Sequence, residues 1–461
     1  MRSLNHPLRM RTKAMRLCTV AVLLLACSPL NAPGAVARQK SQEVAFVNVN
    51  VVPMDSERVL TGQTVVVRGE TIVEVGPASK VKVPAGALRV GGRGKYLMPG
   101  LAEMHGHIPP PQAPKEYTEA VLFMYVANGV TTVRGMLGAP GQLELRERAA
   151  RGELLSPTLY LAGPSFNGNS VNSPAQAAEM VREQKRAGWD LLKVHPGLTR
   201  EEYDAMAKTA REVGISFAGH VPAEVGLAHA LEMGQETIDH VDGYVEHLGA
   251  EAGPVDETKL AEAVRITKKA GAWIVPTMAL WETLLGVTPL EKLLSYPELK
   301  YMPPQQVAAW EKMHRARQAD PKFDRKQAEQ VAANRRRILK ALHDGGVPII
   351  FGTDAPQQYS VPGFSVQREI ASMLEAGMTP YQILRTATKA AGDYHKDKAR
   401  FGTVTAGSRA DLILVGGDPL KDISNVAKRS GVMVRGRWLG EDEIQKRLEA
   451  VAQLAKPKGS S

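Results

Sequence analysis

The chain has 461 residues, 44% of them hydrophobic and 23% charged, enough for a large core and unlike a disordered or fibrous protein. Its formal charge of +10 is concentrated at the start, where Arg2, Arg9, Arg11, Lys13 and Arg16 stand with no acidic residue before position 38. Taking those five from the 58 basic side chains leaves 53 against 48 acidic ones, a mild balance, and no basic cluster interleaved with aromatics marks a nucleic-acid surface.

Residues 1–37 read as a secretory signal peptide. A basic stretch precedes the apolar "LCTVAVLLLAC", and "AVA" at Ala35–Ala37 predicts cleavage after Ala37. The apolar run is too short to span a bilayer. The alternative is "LLAC" as a lipoprotein signal, with Cys27 lipidated. The expected location is therefore the periplasm or the exterior, with no membrane contact unless Cys27 carries a lipid. Cys18 and Cys27 are the only cysteines. A mature chain then holds no thiol, so stability comes from the core. A metal site has to use His, Asp, Glu or Lys.

From about residue 38 to 95 the text predicts short strands: "AFVNVNVV" alternates, and "QTVVVRGETIVEVG" turns at Arg68-Gly69-Glu70. Residues 401–461 resemble it, with "ADLILVGGDP" and "VMVRGRWL". Both chain ends are expected to form one small β-sandwich domain. Between them, residues 96–400 alternate. Strands are predicted at 97–107, 130–136, 158–163, 190–195, 215–220, 236–240, 273–277 and 348–354, most of them separated by amphipathic helices such as "TREEYDAMAKTAREVG". Eight such units predict an α/β fold, a (β/α)8 TIM barrel, whose chemistry sits at the C-terminal strand ends. A helical insertion is expected over about 281–340. It reads either as a surface excursion or as a lid beside the site.

"YLMPGLAEMHGHI" at Tyr96–Ile108 places His105 and His107 two apart. On a strand they face the same way, as two ligands of one metal would. The plainer reading is two unrelated polar residues leaving a strand. Other ligand types also end predicted strands: Lys193 in "LLKV", His220 in "AGHV", His240 in "IDHV" and Asp354 in "FGTDAP". Six such side chains on one rim argue for a metal centre. A buried lysine has a lowered pKa, and its neutral amine can add carbon dioxide to form a bridging carbamate. Alternatively, Lys193 binds substrate by charge.

These residues, with the tail "GTVTAGSRADLILVGGDPLKDI", resemble the amidohydrolase superfamily of metal-dependent hydrolases. The chain is similar to its imidazolonepropionase-like and Xaa-Pro dipeptidase branch. The resemblance implies that His105, His107 and Asp354 bind one Zn2+, that His220 and His240 bind a second, and that carboxylated Lys193 bridges them. It implies hydrolysis of C–N bonds in a small-molecule substrate, with Asp354 moving the proton from the attacking water to the leaving amine. Alternatives are a mononuclear cyclic-amide hydrolase or deaminase, and an exported binding protein without catalysis. A homo-oligomer is a possible assembly. The chain lacks the histidine segment after strand three and the tyrosine after the strand-five histidine that peptidase members carry. His195, Tyr244, Arg134 and Asn167 are candidates for substrate contact, with packing or surface placement as the alternative for each.

Overall fold

The computed structural model describes residues 43–110 and 112–456. The expected signal segment lies outside them. These described residues form one compact unit.

The chain opens with β1 (Val44–Val51), β2 (Leu60–Arg68), β3 (Thr71–Pro77), β4 (Leu88–Gly91) and β5 (Tyr96–Pro99). It closes with β13 (Leu412–Val415), β14 (Arg429–Val434) and β15 (Arg437–Gly440). Both ends share one eight-stranded sheet, ordered β15-β14-β13-β5-β1-β2-β3, with β4 added on β1. β1 is irregular. Its first half pairs with β4 and its last residues with β5. Val44, Phe46, Val65, Leu97, Leu412 and Met433 bury together as a core within this sheet. Phe46 meets the edge of Trp438 at 5.1 Å between ring centroids.

Between the ends lie β6 (Leu101–Gly106), β7 (Val130–Gly135), β8 (Thr158–Leu161), β9 (Leu191–Val194), β10 (Ser216–Gly219), β11 (Thr237–Asp239) and β12 (Trp273–Val275). They make two parallel sheets, β6-β7-β8 and β9-β10-β11-β12. The strands are short and apolar because both faces are covered. Leu191–Val194 is buried throughout. The helices between them show why the sequence was readable. Arg200–Val213 starts on a Thr199–Glu202 capping box and stops at Gly214 in the left-handed region. It buries Tyr203, Met206, Ala207 and Ala210, one stripe at helical spacing.

Strand pairing gives two sheets rather than one closed ring. Backbone bonds cross both gaps. Gly163 N donates to Leu191 O (2.9 Å) and Phe166 N to Lys193 O (2.8 Å) between β8 and β9, while Ile274 N donates to Pro348 O (3.0 Å) and Met104 N to Phe351 O (2.8 Å) between β12 and β6. The segment 348–354, expected as an eighth strand, forms only an isolated bridge between Ile349 and Ile274. Its bonds are divided between two neighbours: Ile350 N donates to Ile274 O and Asp354 N to His105 O. That division, within seven residues, leaves no regular ladder on either side.

Five helical segments fill the chain between β12 and residue 348, including Met278–Leu284, Pro304–Ala319 and Arg325–Asp344. No described helix is long and apolar enough to cross a membrane.

Candidate metal centre

His105, Lys193, His220, His240 and Asp354 all lie in or just beyond the last turn of a parallel strand or of the 348–354 segment. Parallel register brings them to one rim. Lys193 Nζ is 3.2 Å from His105 Nε2. His107 Nε2 is 2.6 Å from Asp354 Oδ1. His105 and His240 lie 4.4 Å apart between ring centroids, as do His220 and His240. The ligand atoms of His105, His240 and Asp354 fall within 4.8 Å of one another. The expected rim is therefore assembled, and all six predicted ligands are in it.

The backbone reaches this arrangement through unusual conformations. His240, Val241, Thr277 and Asp354 all have φ between +47° and +64°, a region that costs a non-glycine residue energy unless its surroundings enforce it. Close approach matters too. A Cβ on Gly352 would stand 2.5 Å from Val275 Cγ1 and 3.0 Å from His105 Cβ. Glycine there lets the 348–354 segment lie against β6, which delivers Asp354 to the histidines.

Three histidines share one pattern. His220 Nδ1 is 2.5 Å from Asp242 Oδ2. His240 Nδ1 is 2.7 Å from Thr277 Oγ1. His105 Nδ1 is 2.7 Å from Asp239 Oδ2, close enough to pair but out of line for a hydrogen bond. With each Nδ1 turned to a protein oxygen, Nε2 is the nitrogen left over on each ring; in His105 it faces Lys193 and Asp354, whereas His240 comes nearest Asp354 through Nδ1, at 3.8 Å from Oδ2. Outer partners of this kind fix the tautomer and orientation of metal-binding imidazoles. His240 Nε2 is buried and has no hydrogen-bond partner among the described residues. A buried, unpaired acceptor is costly, and a cation is the partner its lone pair fits. Imidazole and carboxylate donors suit zinc among common ions.

Burial sets the electrostatics. It pulls the Lys193 ammonium down to about 8, against Asp239 and Asp354, which favour its charge. It holds His105 and His240 well below the ordinary imidazole range, helped by Lys193 beside His105 and by His105 beside His240. Neutral imidazoles are the form that binds metal.

Behind the rim, Glu103 accepts from His105 N (3.0 Å), Thr353 N (2.8 Å) and Thr353 Oγ1 (2.6 Å). It ties β6 to the residue before Asp354. Burial pushes its carboxyl up to about 8 in spite of those donors.

The four substrate candidates separate. His195 stacks on His220 at 4.9 Å and its Nδ1 is 2.5 Å from Ser165 Oγ, so it borders the centre. Burial, with Lys193 next, lowers it to about 2. Asn167 donates to Ser165 Oγ, and its Oδ1 accepts from Asn169 N and Ser170 N, shaping the loop behind His195. Arg134 is corrected to a packing role. It is fully buried and donates to Met104 O, Tyr394 Oη and Thr237 Oγ1, beside Asp239. It therefore supports the carboxylate that faces His105. Tyr244 is likewise fully buried, its hydroxyl 2.7 Å from Thr267 Oγ1.

A model of the amidohydrolase family matches residues 96–439. The chain belongs to the amidohydrolase family. The match spans both parallel sheets and every residue of the rim. By family the amidohydrolase is a hydrolase of carbon–nitrogen bonds. Solved structures share its fold. A bottromycin amidohydrolase superposes with a TM-score of 0.72 at 23% identity, over 90% of each chain. A Xaa-Pro dipeptidase with bound methionine in its active site gives 0.66 at 21%, over 87% of this chain and all of its own. Molinate hydrolase gives 0.66 at 18%, over 92% of this chain and 99% of its own. Comparison with curated protein sequences gives no match.

Sequence reasoning passed over Asp239, Asp242, Thr277 and Glu103. Two of them were within reach. Asp239 and Asp242 flank His240 in "IDHVD", and carboxylates beside ligand histidines are common outer partners. Thr277 gave no signal, because its left-handed backbone is invisible in the letters.

Proposed function

We propose that this amidohydrolase cleaves an amide or peptide bond of a small substrate, using two zinc ions bridged by carboxylated Lys193. His105, His107 and Asp354 would hold one ion, and His220 and His240 the other. The scaffold in this reading is a (β/α)8 barrel of β6–β12 and the 348–354 segment. Residues 38–95 and 401–461 would form a small β-sandwich domain beside it. We also propose that residues 1–37 are an export signal, which N-terminal sequencing of the mature protein would test.

The carrying observation is the set of imidazoles whose Nδ1 atoms are occupied while His240 Nε2 is buried without a partner. Lys193, buried beside His105, supports the bridge, because a neutral amine is the form that adds carbon dioxide.

When bound, the metal supplies a Lewis acid that makes hydroxide available near neutral pH and polarises the substrate carbonyl. The chain's own groups do the rest. Asp354 Oδ1 faces His105 Nε2 and His107 Nε2, the other two members of its proposed ligand set, which leaves Oδ2 to accept a proton from the attacking water. The same carboxyl then returns the proton to the departing nitrogen, which leaves as a neutral amine. His195, stacked on His220, would offer a ring to orient the carbonyl.

The test is turnover of dipeptides and N-acyl amino acids by zinc-loaded mature protein, with and without chelation. Metal-dependent hydrolysis is expected. Full activity in metal-free protein would end the reading, and tight metal binding with no turnover across the panel would favour a binding protein. A mononuclear centre is the second reading, favoured because, among the described residues, His105, His240 and Asp354 are the one group of three whose ligand atoms lie close enough together to share an ion. Lys193→Ala separates the two: full metal content and rate would select the mononuclear form.

A further inference from the structure

Arg335, on the helix Arg325–Asp344, is buried. Its neighbours on that helix are satisfied at the surface, Arg336 by Glu282 and Arg337 by Glu257. Arg335 is not. Its Nε and Nη2 have no hydrogen-bond partner among the described residues. Its guanidinium carbon lies 4.1 Å from the ring centroid of Trp281, whose Nε1 is also buried and unpartnered. Guanidinium and indole N–H groups donate and cannot accept. Three orphaned donors together, one pair of them cationic, call for an acceptor that carries negative charge. The nearby carboxylates do not answer. Asp242 is engaged by His220 Nδ1, and neither Asp242 nor Glu246 comes within ion-pairing distance of Arg335, though both favour its charge against the burial that pulls it down to about 10.

The place of this cluster says which anion. Trp281 stands on the helix Met278–Leu284, which begins directly after Thr277, the partner of His240. Its ring is 6.2 Å from the His240 ring. Those two steps put the guanidinium within about 10 Å of a metal ligand. One residue of extended chain spans about 3.5 Å, and a contact of about 3 Å at each end makes up the rest, so an amide beside His240 would carry the carboxylate of its next residue to this corner.

We propose that Arg335, with Trp281 Nε1 beside it, anchors a free carboxylate that the substrate bears next to its scissile amide. The site would then select N-acyl amino acids and dipeptides over their amidated counterparts. The inference rests on the reading that the centre cleaves small amides.

The test is isothermal titration of zinc-loaded full-length protein with N-acetyl-L-leucine and with N-acetyl-L-leucinamide. Wild type is expected to bind the acid roughly tenfold or more tightly, the scale of a charge-assisted hydrogen bond. Arg335→Gln is expected to erase the difference, and Trp281→Phe, which keeps the ring and removes one donor, to narrow it. Equal binding of acid and amide by wild type overturns the proposal. So does a preference that survives in folded R335Q, since the metal would then be reading the carboxylate. If R335Q does not fold, an unchanged preference in W281F overturns it. Because the readout is binding, absent turnover would sink the hydrolase reading without deciding this one, and rapid turnover with no acid preference would sink the anchor alone.

Discussion

Asp242 Oδ2 lies 2.5 Å from His220 Nδ1, two residues beyond His240 on the same loop. One carboxylate thus orients a proposed ligand on β10 from the strand end that supplies another. Removing such a partner costs about 10–100-fold in metal affinity. Asp242→Ala is expected to show that loss in chelator competition against wild type. Unchanged affinity would mean that His220 is held by packing alone or is no ligand.

Gly352 and Gly219 are predicted to be intolerant of a side chain for the same reason. A Cβ at Gly352 would strike Val275 Cγ1 at 2.5 Å, and one at Gly219, where φ is +129°, would strike Val194 O at 2.4 Å. Overpacking of this kind costs about 1–3 kcal/mol. Urea denaturation of Gly352→Ala and Gly219→Ala should show destabilisation on that scale. Because the two segments deliver Asp354 and His220, metal retention should fall as well.

Glu369 provides a pH signature outside the proposed ligand set. It is fully buried and accepts from Met278 N and Ala279 N, both at 2.9 Å. Burial, with like charge from Glu282 and Glu103, pushes it from 4.5 to about 8 against those two donors. In the folded chain it therefore keeps a proton that the unfolded chain releases near 4.5. The native state binds more protons between those values, so stability falls as pH rises through that window. Its contribution is complete below about 4.5 and gone above about 8. Denaturation of wild type and Glu369→Gln at pH 5.5 and 8.5 checks this. Wild type should lose more stability than the variant across that interval, and parallel behaviour would contradict the assignment.

Much of the rim was legible because period and order carry it. Each candidate ligand closed a short predicted strand, and in a parallel fold such ends share one side. Glycine at Gly352 and Gly219 hinted at tight approach but not at what was approached. Arg134 misled, since an arginine on a strand reads as polar function, whereas here Asp239 and three other acceptors absorb it inside the core. Asp239 was visible as a carboxylate flanking His240, but only tertiary packing shows that it faces His105 rather than capping a helix. Arg335 lay in a long helical stretch rich in arginine, where spacing alone gives no sign that one guanidinium turns inward and its neighbours turn out. The segment 348–354, expected as an eighth strand, forms only an isolated bridge, because Ile350 and Asp354 bond to different neighbours.

The most direct test of the shared centre is metal stoichiometry of purified mature protein, beside His240→Ala and Lys193→Ala. Near two zinc ions per chain in wild type, falling by about one in each variant, is the predicted result. Wild type that binds no ion tightly, or variants that match it ion for ion, would contradict it.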